Sequence, residues 1–74
     1  MLEIYFSRHA RRRTKLYGIS EDVIINILKD KQLSKGNHEI IENVEGFKFP
    51  LKVVFVVTDK ITIITTYPLK KGRA

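Results

Sequence analysis

The chain has no cysteine and no tryptophan, and only two prolines, one methionine and two histidines in 74 residues. Without cysteine there is no disulfide framework, no thiolate zinc site and no cysteine nucleophile. That composition suits a reducing compartment, so a cytoplasmic location is expected. His9 and His38 lack companions at ligand spacing, so no metal site and no cofactor is expected. The four glycines are isolated and build no phosphate-cradling loop. No serine-nucleophile motif is present. No apolar run approaches the roughly 20 residues that span a bilayer, so no membrane partner is expected. Met1-Leu2-Glu3-Ile4-Tyr5 has no basic region followed by an apolar one, so no secretory signal is expected. The length predicts one domain, residues 1–74. Its core is thin, because so small a domain buries only about 60% of the surface its unfolded chain exposes.

What the chain does have is positive charge. Lys and Arg number 14 against 8 Asp and Glu, a net +6. Hydrophobic residues at 43% and charged residues at 30% describe a chain that folds. The cations cluster. Arg8, Arg11, Arg12, Arg13 and Lys15 lie within eight positions, and Lys70, Lys71 and Arg73 make a basic tail from about residue 69. Glu39, Glu42 and Glu45 form an acidic stretch between them. So lopsided a field is expected of a face that binds RNA or a ribosome, with a merely solvated basic surface as the alternative.

The elements read in the order β-α-α-β-β-β. Leu2 to Phe6 is a strand. Ser7 suits an N-cap, and a helix is predicted from Arg8 to Tyr17, ended by Gly18 in the left-handed conformation. Ser20 caps a second helix that runs to about Lys31, with Glu21 and Asp22 at its positive end. Strands follow at His38–Val44, Leu51–Thr58 and Ile61–Tyr67, the last two joined tightly at Asp59-Lys60. The expected fold is α+β, two helices packed on one face of a mostly antiparallel four-stranded sheet.

At about 100° per residue, Ala10, Leu16 and Tyr17 define the inward side of the first helix, and His9 and Arg13 fall within that sector. Arg8, Arg11, Arg12 and Lys15 group on the opposite side and are the expected RNA-binding stripe, with Lys70, Lys71 and Arg73. For the inward pair, a structural role competes with a catalytic one. The second helix carries Val23, Ile24, Ile25, Ile27 and Leu28 over an arc of about 200°, wide enough to want cover beyond the sheet, from the first helix or from a partner chain. On the sheet, Leu51, Val53, Phe55 and Val57 alternate toward the core. Ile61 and Ile63 are expected to align with Thr65 and Tyr67. Val54, Val56 and Ile64 then form an interface patch on the second face, unless they are scattered strand formers. A homodimer in isolation is expected from it. Phe47-Lys48-Phe49 is a possible base-stacking loop.

The string His9-Ala10-x-x-Arg13, then Gly18-Ile19-Ser20 before a helix, then valine-rich strands ending in Ile64-Thr65-Thr66-Tyr67-Pro68, resembles the family of the domain of unknown function 4258 over nearly the whole chain. That family is similar at fold level to the RelE/BrnT-like toxins of toxin–antitoxin pairs. The resemblance implies a RelE-like fold and a toxin component that binds RNA, with metal-independent cleavage of mRNA and a cognate antitoxin. His9 and Arg13 match the family's His-Ala-x-x-Arg signature. Where members often carry an arginine before the glycine, this chain has Tyr17. Such cleavage needs a base, an acid and cations around the phosphorane, and His9, Arg13, Lys52 and Tyr67 are the residues of suitable type. The alternatives are a non-catalytic RNA- or ribosome-binding module and a homodimeric interaction protein.

Overall fold

Ser7 decides how the chain leaves its first strand. In the computed structural model, which describes residues 3–29 and 31–69, Ile4–Phe6 is strand β1 and Arg8–Tyr17 is helix α1. The Ser7 hydroxyl accepts from the Ala10 amide at 3.1 Å and donates to the Ile64 carbonyl at 3.1 Å. One oxygen therefore caps the helix and ties it to the far end of the chain. Gly18, at φ 67°, ends α1 in the left-handed conformation that glycine adopts without a Cβ penalty. Ile19 then donates back to the Thr14 carbonyl at 2.8 Å. Helix α2 spans Glu21–Lys29 and opens on Ser20, whose hydroxyl accepts from the Val23 amide at 3.3 Å. It stops two residues short of the expected Lys31, whose amide donates to the Leu28 carbonyl in a closing turn.

Strands β2 (Gly36–Glu42), β3 (Leu51–Val57) and β4 (Ile61–Pro68) complete the order predicted from sequence. β2 begins and ends two residues earlier than expected. The β3–β4 turn takes in Thr58 as well as Asp59 and Lys60, with the Thr58 amide donating to the Lys60 carbonyl at 2.8 Å. The expected start of the first strand, Leu2, lies outside the described residues.

The four strands lie in the order β1-β4-β3-β2. The sheet is mixed. β2–β3 and β3–β4 are antiparallel, but β1 runs parallel to β4, with Ile4 opposite Ile61 and Phe6 opposite Ile63. Parallel neighbours need a long crossover, and everything between β1 and β4 supplies it.

The core lies between sheet and helices. Leu51, Val53, Phe55 and Val57 alternate into it as predicted. β4 departs from the expected alternation because a β-bulge at Ile64 inserts one residue opposite the Val54/Phe55 step. Beyond the bulge the faces swap. Thr66, not Thr65 or Tyr67, turns inward, fully buried, and its hydroxyl donates to the Lys52 carbonyl at 2.9 Å. Tyr67 stands on the outer face opposite Lys52.

The inward side of α1 also differs from expectation. Ala10 and Thr14 are buried, which centres that side near 120° on the same wheel, against about 50° expected. Leu16 is 67% exposed, His9 is exposed and Arg13 only half-buried. Small residues won because α1 lies close on β4, where Ala10 and Thr14 leave room that Leu16 and Tyr17 would fill. In α2, Ile24, Ile27 and Leu28 are buried, while Val23 and Ile25 are half-buried against the core alongside Leu33, Val44 and Phe47. The apolar arc of α2 is thus buried or half-buried within this chain.

Candidate nucleic-acid interface

The apolar side of α1 faces β4, so its cations must face away. Arg8, Arg11, Arg12 and Lys15 are all exposed and line one cleft of about 580 Å³, together with Thr14, Ile19 and Glu21. The Gly18 turn forms its end wall by bringing Ile19 and the start of α2 back beside α1. A smaller cleft of about 240 Å³ adjoins it, lined by Tyr5, Phe6, Arg8 and Arg11. Arg8 and Arg11 belong to both, so the two hollows lie side by side along a cationic groove that reaches from Tyr5 to Lys15. Among the described residues none of the four cations makes an ion pair, and Glu21 is the single carboxylate on the lining.

The acidic stretch is disposed differently. Glu39 pairs with Lys52 at 3.3 Å and Glu42 with Lys31 at 3.4 Å, both on the β2 edge of the sheet. Two of the three acids of that stretch are thus paired with lysines, whereas the four cations of α1 have no ion pair among the described residues. Lys70, Lys71 and Arg73, expected to add to them, lie outside the described residues.

His9 and Arg13 come together with Tyr17, which stood outside the expected catalytic set. Arg13 Nε donates to His9 Nε2 at 3.3 Å, and Arg13 Nη1 donates to the Tyr17 hydroxyl at 3.2 Å. Positions 9, 13 and 17 are successive turns of one helix row, a spacing that could have revealed Tyr17. Where the resemblance expects an arginine, Tyr17 instead gives Arg13 an acceptor. The bond to His9 requires a neutral imidazole with its proton on Nδ1.

Lys52 and Tyr67 form a separate group on the outer face of the sheet. Glu39 holds the Lys52 ammonium above its ordinary pKa of 10.5, by hydrogen bond first and charge second, with Tyr67 adding less. Lys52 is therefore a fixed cation with no proton to exchange near neutral pH. No hydrogen bond joins this group to the His9–Arg13–Tyr17 row among the described residues. The four residues expected to make one catalytic set are thus two pairs. The bulge at Ile64 and the actual seat of α1, neither visible in the sequence, dispose them so.

The expected interface patch is thin. Val54 lies between Thr65 and Glu39, and Val56 between Thr62 and Asn37. Both valines are half-buried, and Ile64 at the bulge is 42% exposed. Among the described residues no group of His, Asp and Glu is placed to hold a metal ion, and no helix is long and apolar enough to cross a membrane. Comparison with protein families, curated proteins and solved structures gives no match to this chain.

Proposed function

We propose that this chain binds RNA through the groove on α1, as the RNA-binding toxin component of a RelE-like pair whose antitoxin is a small acidic protein. The observation that carries the reading is the groove itself, with four exposed cations, unpaired among the described residues, against one carboxylate on a single concave lining. Like charges held so close repel one another, and a polyanion relieves that cost while releasing its own counterions. Guanidinium groups also match phosphate geometry, and three of the four cations are arginines.

Cleavage is a second reading, and the His9–Arg13–Tyr17 row favours it. In this mechanism Arg13 turns from His9 to a phosphate, which frees the His9 Nε2 lone pair. His9 takes the proton of the 2′-hydroxyl, whose oxygen then bonds to phosphorus. The bond to the 5′-oxygen breaks, Tyr17 protonates that oxygen, and a 2′,3′-cyclic phosphate remains. Arg13 stabilises the extra charge of the phosphorane.

Purified protein incubated with RNA, with and without a chelator, tests both readings. Four phosphates neutralised on a single strand predict a salt slope of about −2.8, which is roughly a 50-fold loss of affinity between 50 and 200 mM salt. Arg11→Ala with Arg12→Ala should bring the slope to about −1.4. Cleavage that survives the chelator and is lost in His9→Asn, with binding retained, supports the enzyme. Binding without cleavage supports a non-catalytic RNA- or ribosome-binding module. Absence of binding at 50 mM salt refutes the proposal.

A further inference from the structure

Tyr5 is half exposed, at 51%. It sits in β1 opposite Thr62 of β4, while its neighbours Ile4 and Phe6 turn into the core. The ring cannot follow them, because successive strand residues point to opposite faces. Tyr5 lines the smaller hollow with Arg8 and Arg11, which also line the larger one. Lys60 Nζ stands over one face of the Tyr5 ring, 5.2 Å from its centroid, so a base has the opposite face to stack on.

The other aromatic rings are less exposed. Phe47 packs against the core, Phe49 and Tyr67 are half-buried, and Tyr17 is 37% exposed with its hydroxyl held by Arg13. An exposed aromatic residue that shares a hollow with arginines is the combination that tracks a single strand, with cations on phosphates and a base on the ring. In a duplex each base is already stacked between its neighbours and has no free face to offer.

We infer that Tyr5 is a base-stacking residue and that the groove selects single-stranded over double-stranded RNA. This rests on the RNA-binding reading above. One nucleotide stacks on the free face of the Tyr5 ring, and the neighbouring phosphates run past Arg8 and Arg11 toward Arg12 and Lys15.

The absence of tryptophan makes the test clean, because a Tyr5→Trp variant carries a single indole reporter at the site. Fluorescence and affinity are measured with an unstructured ten-nucleotide RNA and with a duplex of equal phosphate count. The single strand should quench the indole and the duplex should not. Tyr5→Leu should weaken single-strand binding about 5- to 100-fold with an unchanged salt slope, and leave duplex binding unaltered. Tyr5→Phe should bind as wild type. Thermal unfolding confirms that each variant is folded, and the tryptophan variant carries the test if Tyr5→Leu is not. Equal quenching by both RNAs, or single-strand affinity within twofold of wild type in Tyr5→Leu, overturns the inference. If the Arg11→Ala, Arg12→Ala variant still weakens binding in that case, the RNA-binding reading stands without it. Failure of wild type to bind either RNA removes that reading and the inference together.

Discussion

Replacing Ser7 by alanine removes two bonds through one atom. The hydroxyl accepts from the Ala10 amide and donates to the Ile64 carbonyl, each at 3.1 Å. Loss of a serine cap costs about 1 kcal/mol. Loss of a neutral hydrogen bond costs about another 1 kcal/mol. Because the two bonds serve different elements, the helix start and the bulged strand, they should add to about 2 kcal/mol. In a domain of this size each kcal/mol moves the melting temperature by about 4–8 °C, so Ser7→Ala should lower it by roughly 8–16 °C. Urea unfolding followed by circular dichroism measures the same loss as a lower midpoint at unchanged slope. Two further variants divide it. Ser7→Thr keeps both bonds and should stay near wild type. Ser7→Gly costs the cap only a few tenths of a kcal/mol but loses the strand bond, so about 1 kcal/mol is expected. A Ser7→Ala midpoint within about 0.5 kcal/mol of wild type, the ordinary range for surface substitutions, would refute the coupling of helix to bulge.

Arg13 is only half-buried and its partners are neutral. Arg13→Ala should therefore cost no more than about 1 kcal/mol in thermal unfolding, similar to Arg11→Ala; a loss of 3 kcal/mol or more would mean it holds a buried charge. The raised pKa of Lys52 means that the Glu39 pair stabilises the fold fully below pH 10.5 and loses that contribution as pH rises through the raised value. The stability gap between wild type and Lys52→Met should be flat from about pH 6 to 9 and shrink above pH 10.5, as chemical denaturation would show. If the valine stripe of the outer face pairs two copies, light scattering at high micromolar concentration gives a dimer, and Val56→Lys returns it to monomer. A monomeric wild type would leave that face without a self-interaction.

Local signals were the legible part. Ser7, Gly18 and Ser20 could be assigned before any tertiary structure, because a cap is a relation between residues a turn apart. The alternation of Leu51, Val53, Phe55 and Val57 was equally plain, since period two survives whatever lies across the sheet. The bulge at Ile64 was not visible, because it depends on β3 and on the Ser7 bond, both far away in sequence. Nor was the seat of α1. Weighting by apolarity turns Leu16 and Tyr17 inward, whereas close approach to β4 selects Ala10 and Thr14. The cationic stripe was readable from helical spacing. The groove was not, because the hollows holding Ile19, Glu21 and Tyr5 exist only once α1 is seated between β4 and the start of α2.

The parallel pairing of β1 with β4 sets an order of events during synthesis. Ser7 bonds a carbonyl 57 residues further along the chain. Neither β1 nor the start of α1 has its full seat until β4 has left the ribosome and paired with β3, so β1 waits for β4. Contacts of such long range form slowly. A growing chain therefore carries Arg8, Arg11, Arg12 and Lys15 past the ribosomal surface as loose cations, and the groove that would order them on RNA closes only once translation has passed β4.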